Sequence, residues 1–285
     1  MNQSCLYSGL CSGCDLLHLN PSQIEEKRLL ELESFGIAVR ELGGRFSTVW
    51  IDDGGLRDRV ELVVERTRPE GRLRSGLYLK THSAEVRHGK PLLEIAGCAQ
   101  FSPALERFYQ DFIADLPAVS QRGSVRLRVG PRGERGLWLD FSNEDIRDLL
   151  NEESWLTRTL ERGWTVEMGQ RRKRVALSDE RRRFRLIDPV LAPWFQTWVD
   201  GKAHDLFATI GTFTQPGLRA KQKLVQTVID LIQNIQKNRG TAVEFGCGIG
   251  NFTLPLASLF QKVSVFETDR LALEGLTRGL KESQL

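Results

Sequence analysis

The sequence predicts an α/β protein whose strand-rich first part precedes the beginning of an open, parallel-sheet domain. Three observations support this fold class. Apolar and polar residues alternate at 60–64 and 125–129, a pattern typical of strands that bury one face. A glycine-rich turn at 246–250 lies between a short apolar segment and a probable helix, as in a β–α unit of a parallel sheet. A second apolar segment then ends at an acidic residue, Glu267.

The composition is that of a globular protein long enough for two domains. The chain has 285 residues, of which 40% are hydrophobic and 27% are charged. No apolar run approaches the roughly 18 residues that a membrane span needs, so we expect no membrane partner. The chain starts without an apolar signal segment, which predicts a cytoplasmic protein and disfavours disulfides. A net charge of +3 says little about partners.

Four cysteines are spaced as ligands of a metal centre. Cys5, Cys11 and Cys14 follow the pattern C-x5-C-x2-C, and Cys98 lies far downstream. Four thiolates can hold an iron–sulfur cluster or a zinc ion. Structural zinc usually has two close pairs of ligands, so the three-plus-one spacing favours iron–sulfur, with zinc and disulfides as the alternatives.

A helix is predicted over residues 21–35, after the first three cysteines. Ser22 could cap its N-terminus, with Glu25 three residues later as a capping box requires. Its apolar residues, Ile24, Leu29, Leu30 and Leu32, indicate one buried face.

The alternating segment 125–129 is followed by Gly-Pro-Arg-Gly and by an apolar segment at 137–139, which predicts a β-hairpin. Arg126 and Arg128 would share one face of its first strand. The sequence leaves open whether that face contacts nucleic acid or is the solvated side of a half-buried sheet.

A basic segment at 171–185 suits a phosphate backbone. It contains eight basic residues, opposed only by Asp179 and Glu180. The candidates for RNA contact are Arg171, Arg172, Lys173 and Arg174. The alternative is a solvated hairpin whose charges bind nothing specific.

The last part of the chain predicts a cofactor site. An amphipathic helix with an apolar face formed by Leu224, Val225, Val228, Leu231, Ile232 and Ile235 ends near Gly240, and a strand at 242–245 follows. The pattern E-x-G-x-G-x-G then places Glu244, Gly246, Gly248 and Gly250 between that strand and a helix at 253–259. A strand at 263–266 ends at Glu267, whose carboxylate can accept hydrogen bonds from both ribose hydroxyls. This arrangement is the usual first motif of S-adenosylmethionine-dependent methyltransferases, and Cys247 within it is expected to be a small loop residue rather than a nucleophile.

Taken together, these motifs resemble the RNA uracil-5 methyltransferase family, whose members carry a [4Fe-4S] cluster. The four cysteines fall in the order of that family's cluster ligands. The segment 55–60, G-L-R-D-R-V, resembles its G-[FY]-R-N-[KR]-[AV] segment, with Asp58 where asparagine is usual. The segment 213–216, F-T-Q-P, resembles its F-x-Q motif, which implies that Gln215 contacts S-adenosylmethionine. Gly217 stands where the family usually has asparagine.

The resemblance implies an organisation and a partner. Residues 1–20 would form a cysteine-rich cluster segment and residues 21–45 a helical segment. Residues 46–184, which include Cys98, would form a strand-rich RNA-binding domain, and residues 185–285 would form the first part of a Rossmann-like methyltransferase domain. The chain is similar to the shorter members, which lack an N-terminal RNA-binding β-barrel and of which some act on 23S ribosomal RNA. We therefore expect a monomer that binds ribosomal rather than transfer RNA.

In the family's reaction a cysteine thiolate adds to uracil C6, and C5 takes the methyl group from S-adenosylmethionine. A base then removes the C5 proton and the thiolate leaves C6. The resemblance implies that the nucleophile and the base lie beyond residue 285, so the chain is expected to be truncated, to hold no catalytic residue and to be inactive alone. Two alternatives remain: a catalytically incomplete or split iron–sulfur protein that binds RNA, and a zinc-binding protein with a small-molecule methyltransferase domain.

Overall fold

The structure, a computed structural model, describes residues 5–14, 19–34, 55–66, 71–79, 91–118, 122–141, 145–178, 183–215, 217–235 and 239–285. The backbone but not the side chain of Arg171 is included. The predicted opposing residues Asp179 and Glu180 lie outside these ranges, as do Arg181 and Arg182. None of the described helices is long and apolar enough to cross a bilayer.

The first part of the chain forms an eight-stranded sheet in the order β3-β2-β1-β4-β5-β6-β7-β8. Neighbouring strands are antiparallel except β5 and β6, which are parallel and are joined through two short helices, α3 and α4. The strands are β1 (Arg59–Arg66), β2 (Leu73–Tyr78), β3 (Leu92–Leu93), β4 (Arg122–Val129), β5 (Arg135–Asp140), β6 (Thr165–Met168), β7 (Lys173–Leu177) and β8 (Phe184–Ile187). The accompanying helices are α1 (Pro21–Ser34), α2 (Pro103–Ile113), α3 (Ile146–Leu150) and α4 (Glu153–Glu161).

The core of this part lies between the sheet and α2. Alternate residues of β1 and β4 are buried, because successive side chains of a strand point to opposite faces. Helix α2 covers them with one apolar stripe: Leu105, Phe108, Tyr109 and Phe112. The predicted strands at 60–64 and 125–129 and the predicted hairpin are confirmed, since β4 pairs with both β1 and β5.

The second part of the chain begins with an antiparallel hairpin that sequence patterning does not predict. Its strands are β9 (Ala192–Val199) and β10 (Lys202–Ala208), which precede helix α5 (Leu218–Ile235). A β–α–β–α unit follows: β11 (Thr241–Phe245), α6 (Thr253–Leu259), β12 (Lys262–Phe266) and α7 (Arg270–Ser283). Strands β11 and β12 are parallel, as the glycine turn between strand and helix predicts. The hairpin packs against α5, α6 and α7.

The predicted cap and buried face of the first helix are wrong. Asn20 caps α1 instead of Ser22, because Asn20 and Gln23 exchange reciprocal side-chain bonds to each other's backbone N–H, both at 3.0 Å. No residue of α1 is buried among the described residues, and Leu30 remains 60% exposed. The apolar residues of this helix therefore do not join the described core.

The predicted apolar face of α5 is only partly buried. Val225 is buried, whereas Leu224, Leu231 and Ile235 are exposed. The other buried residue of the helix is a lysine, Lys221. The helix packs on β9 through its first turns, which places Lys221 against the ring of Phe195.

Candidate functional site

The glycine turn adopts a backbone that side chains disfavour. Gly246, Gly248 and Gly250 follow β11 and have φ angles of 69°, 55° and 95°. The backbone N–H groups of Gly246 and Cys247 both donate to the carbonyl of Phe266, at 2.8 and 3.2 Å. The turn is thereby fixed to the carboxyl end of β12, where ligands of open parallel sheets bind.

Glu267 is held at this edge by backbone N–H groups. Its Oε2 accepts from Gly248 at 3.0 Å, and its Oε1 accepts from Thr268 at 2.6 Å and Asp269 at 2.9 Å. The bond from Asp269 and the two other backbone bonds lower the pKa of the Glu267 carboxyl below its ordinary value. Glu267 is therefore ionised at neutral pH and has free lone pairs for the hydroxyls of a ribose.

Glu244 has a different environment from Glu267. It is half-buried, and its Oε2 accepts a bond from the hydroxyl of Thr253 at 2.6 Å. Burial raises the pKa of the Glu244 carboxyl. The carboxylate thus connects the end of β11 to the first residue of α6 and supports the turn between them.

Cys247 lies inside the turn and is only 4% exposed. Burial raises the pKa of its thiol, and the carboxylates of Glu244 and Glu267 raise it further. A nucleophilic cysteine needs the opposite environment, one that stabilises the thiolate. The prediction that Cys247 is a loop residue agrees with this setting.

Gln215 lies in a cavity of about 320 Å³ between the first sheet, α2, β9 and the start of α5. Asp58, Arg128, Phe195 and Lys221 also line it. Its described lining residues include none from the turn at 246–250. The structure therefore places Gln215 apart from the five other predicted cofactor-binding residues, which lie together at the ends of β11 and β12, and its contact with the cofactor stays a prediction.

Arg128 is buried, so the interpretation of the arginine face of β4 as a solvated surface is wrong for this residue. It is 3% exposed and donates to the carbonyls of Ile210 at 3.0 Å and Thr212 at 2.9 Å. Its third bond reaches the hydroxyl of Thr214 at 3.1 Å. The arginine instead holds the segment that leads from β10 to Gln215.

Two neighbours complete this fixation of the segment. Arg126 donates to the carbonyl of Gly211 and forms an ion pair with Glu61. Glu167, which is 4% exposed, accepts from the N–H groups of Ile210 at 2.9 Å and Gly211 at 3.3 Å. Burial raises the pKa of the Glu167 carboxyl. The predictions from the sequence do not include the fixation of this segment by Glu167. The sequence signal for it is a carboxylate between the apolar residues at the end of β6.

Gly217 shows why the asparagine that is usual in the family is missing here. A Cβ atom at this position would lie 1.6 Å from the carbonyl oxygen of Leu56. No side chain fits unless the segment 55–57 moves. Asp58, at the end of that segment, accepts a bond from the N–H of Leu218 at 2.9 Å and so caps α5.

Of the predicted RNA-contact residues, Lys173 and Arg174 begin β7, which pairs with the edge strand β8, and Arg171 and Arg172 directly precede it. The side chain of Arg172 is 74% exposed and lies 3.9 Å from Asp269. Lys173 forms an ion pair with Asp188, a residue beyond the predicted basic segment. Arg174 is opposite Ile187 in the hairpin and its charge acts on Glu167. The segment is therefore less strongly cationic than its sequence suggests.

Arg172 also connects the hairpin with the cofactor edge. A second cavity, of about 310 Å³, is lined by Arg172, Trp138 and Glu167 of the first sheet, by Phe213, and by Asp269 at the start of α7. Phe213 is 76% exposed. Asp269 lies two residues after Glu267, and Trp138 belongs to the first sheet. A ligand in this cavity would therefore touch both parts of the protein.

The four cysteines lie close enough for their charges to interact, although they come from separate segments. Cys5, Cys11 and Cys14 each raise the pKa of the Cys98 thiol, which burial raises most. Tyr7 donates to the carbonyl of Ala96, and Gly13 N lies 3.3 Å from Cys11 Sγ. Within the described ranges, however, no three His, Cys, Asp or Glu side chains converge on one metal position.

A family profile described as tRNA (Uracil-5-)-methyltransferase matches residues 197–275. The chain is 34% identical over 279 residues to an uncharacterized RNA methyltransferase of Bdellovibrio bacteriovorus, a match that covers 98% of this chain and 67% of that protein. It is 26% identical over 288 residues to the 23S rRNA (uracil(1939)-C(5))-methyltransferase RlmD of Halomonas elongata, covering 99% of this chain and 56% of that enzyme.

Among solved structures, the tRNA (uracil-54, C5)-methyltransferase of Pyrococcus abyssi, in complex with S-adenosyl-L-homocysteine, aligns with a TM-score of 0.58. The identity is 17%, over 97% of this chain and 64% of that chain, so the likeness shows the fold alone. It confirms the α/β class with a Rossmann-like methyltransferase domain. The chain spans just over half the length of the ribosomal RNA relative and about two thirds of the length of the other two.

The relative from Bdellovibrio aligns with nearly the whole chain, and the family profile covers the β–α–β unit that carries the glycine turn and Glu267. The chain belongs to the RNA uracil-5 methyltransferase family.

Proposed function

We propose that the protein takes part in the S-adenosylmethionine-dependent methylation of uracil C5 in RNA. The observation that carries the proposal is the edge formed by the glycine turn and Glu267, which adjoins the cavity that contains Arg172 and Phe213. A cofactor held on that edge would lie beside a cavity with a basic and an aromatic wall. Such walls suit an unstacked nucleotide of RNA.

The residues of this chain bind and orient; S-adenosylmethionine supplies the methyl group when bound. The Glu267 carboxylate would accept the ribose hydroxyls, and the three glycines would allow close approach of the backbone. Arg128, Arg126 and Glu167 fix the segment 210–214 and thereby the start of the F-x-Q motif. Burial raises the pKa of the Cys98 and Cys247 thiols, which is the opposite of what activates a nucleophile, so we assign a catalytic role to neither.

We also propose that Cys5, Cys11, Cys14 and Cys98 hold a [4Fe-4S] cluster with a structural role. Burial raises the pKa of the Cys98 thiol, and Cys14, Cys5 and Cys11 all lie near enough to raise it further. This proximity supports the proposal, since each thiolate of such a cluster binds a different iron. Zinc on the same four cysteines is the alternative, and metal analysis separates the two.

The RNA substrate is proposed to be ribosomal. The relatives RlmD of Halomonas elongata and of Photorhabdus laumondii, both named as 23S rRNA enzymes, match 99% and 92% of this chain in sequence. Three tRNA/tmRNA enzymes of the family match 44% or less. The sequence of the strand-rich part supports a ribosomal substrate, although the tRNA enzyme of Pyrococcus abyssi aligns with 97% of the chain in fold.

The test is deletion of the gene in the source organism, followed by mass spectrometry of nucleosides from purified ribosomal and transfer RNA. We expect one 5-methyluridine to disappear from the 23S fraction and to return with the wild-type gene but not with Glu267→Ala. Loss from transfer RNA alone would refute the ribosomal assignment, and unchanged 5-methyluridine in both fractions would refute the function.

A further inference from the structure

The cavity that contains Gln215 has two buried cations whose charges no described carboxylate pairs with directly. Lys221, on the first turn of α5, and Arg128, on β4, are each 3% exposed, and both line it. They lie over the same aromatic ring, with the guanidinium carbon of Arg128 4.1 Å and Lys221 Nζ 5.4 Å from the centre of Phe195. Two like charges are thus brought together in an apolar setting, which is costly unless a negative charge offsets them.

The described walls of the cavity supply little negative charge. Asp58 is their only carboxylate, and one of its oxygens already accepts the N–H of Leu218. Two further arginines that line the cavity add positive charge: Arg59, the first residue of β1, and Arg107 on α2. Trp194 also lines the cavity, and its buried Nε1–H has no acceptor among the residues that the structure describes. The cavity therefore has an excess of positive charge and of hydrogen-bond donors.

We propose that this cavity binds a phosphate group, and that the phosphate belongs to a nucleotide of the RNA substrate. This inference rests on the proposed function for the identity of the substrate. The described lining residues come from β1, α2, β4 and the turn after it, β9, the segment before α5 and α5 itself. Gln215 is the one predicted cofactor-binding residue among them, and none of the cofactor-edge residues 244–250 and 267 lines the cavity. We therefore assign the anion to the RNA, and competition with a cofactor analogue tests this assignment. A volume of about 320 Å³ accommodates a phosphate with part of its nucleotide.

Binding is coupled to a proton on Lys221. Burial, followed by the charge of Arg128, lowers the pKa of Lys221 to about 7, while Asp58 opposes the shift. An anion beside the amine favours the charged form and raises this pKa. Affinity is therefore full below pH 7, where the amine already carries its proton, and falls as the pH rises above 7.

The first experiment measures sulfate binding by calorimetry between pH 6 and 9, a range in which the charge of sulfate does not change. Sulfate should bind, with an affinity that falls as the pH rises above the pKa of Lys221 and levels off near the affinity of Lys221→Met. Lys221→Met should weaken binding at pH 6 by about tenfold or more and remove the pH dependence. Methionine keeps the length of the buried stem, and urea denaturation should show that the variant is at least as stable as the wild type.

Lys223→Met is the matched control, because Lys223 is exposed on the same helix two residues away. It should leave both affinity and pH profile unchanged. Equal sulfate binding by wild type and Lys221→Met, or no binding by either, would overturn the inference.

Three competitors identify the source of the anion. Uridine 5′-monophosphate and a short uridine-containing RNA should displace sulfate, whereas S-adenosylhomocysteine should not. Displacement by S-adenosylhomocysteine alone would assign the cavity to the cofactor and refute the proposal. Because sulfate binding and the nucleoside analysis after gene deletion are independent, a failure of the cavity and a failure of the proposed function give different results.

Discussion

Glu267 shows how one side chain can be prepared for a ligand by its own neighbours. Three backbone N–H groups donate to its carboxylate, so its orientation and charge are set before any cofactor arrives. A bond that is already formed costs no ordering free energy when the ligand binds.

We expect Glu267→Gln to weaken the binding of S-adenosylhomocysteine by about 10–100-fold, the amount that one or two charge-assisted hydrogen bonds contribute. Since the backbone bonds lower the pKa of this carboxyl, it stays ionised well below neutrality, and wild-type affinity should not change between pH 6 and 8 on its account. Isothermal titration calorimetry measures both quantities.

Glu274→Gln is the matched control for this substitution, because Glu274 is an exposed carboxylate on α7 that pairs with Arg270. Its affinity for S-adenosylhomocysteine should equal that of the wild type. If Glu267→Gln binds as tightly as this control, the assignment of Glu267 to the ribose is wrong.

At the level of elements, the β7–β8 hairpin determines which basic residues can reach RNA. Val175 is buried on one face and pairs with Leu186. Arg174 and Arg185 belong to the pairs on either side, so they share the opposite face of the hairpin. Arg172, just before β7, has a largely exposed side chain.

Replacing Arg172, Arg174 and Arg185 together by Ala should weaken RNA binding about equally for all RNA sequences. The dependence of log Kd on log salt should lose about one unit of slope for each phosphate contact removed. A filter-binding series at several salt concentrations measures the slope.

Arg147→Ala controls for a general loss of positive charge, since Arg147 is 82% exposed on α3 and is paired with Asp145. It should change affinity little. A triple variant with unchanged affinity and slope would favour the solvated hairpin over an RNA contact.

Elements with a strong local pattern could be predicted from the sequence, and those that depend on the partner element could not. The β11–α6–β12 unit follows from its glycines and its apolar segments, and α6 occupies the predicted residues 253–259. The predictions from the sequence do not include the β9–β10 hairpin. Its two strands are joined by the two-residue turn Asp200-Gly201, in which both residues have positive φ, and an Asp-Gly pair is a known signal for such a turn. The sequence predicts Ser22 as the cap of α1, whereas Asn20 caps it in the structure. Both residue types are good caps, and only the fold selects between them.

The buried roles of charged residues were the least predictable part of the candidate site. Arg128 alternates with apolar residues on β4 in the way that a solvated residue would. Its burial depends on the segment 210–214, which lies more than 80 residues away in sequence and offers two carbonyls and a hydroxyl. No prediction for Lys221 follows from the sequence, since a lysine is common on an amphipathic helix and only the packing of α5 on Phe195 shows that it is buried.

At the scale of the whole molecule, the N-terminal segment is connected to the body mainly around the cysteines. Cys11 forms an isolated bridge with Leu79 after β2, and Arg57 lies 3.4 Å from the carbonyl of Gly13. The N–H of Gly55 donates to the carbonyl of Ala99, directly after Cys98. The proposed cluster would thus join the N-terminal segment, the edge of the first sheet and the segment that leads to Asp58.

We expect anaerobically purified protein to be brown and to contain about four irons per chain. Cys98→Ser should lose both the colour and the iron and should make the N-terminal segment more sensitive to protease, because the fourth ligand is the one that joins it to the body. Cys247→Ser should keep the iron, since its thiol lies buried in the glycine turn at the other end of the chain. Wild-type protein with stoichiometric zinc and no visible absorbance would refute the cluster, and equal protease sensitivity of wild type and Cys98→Ser would show that the metal does not hold the segment in place.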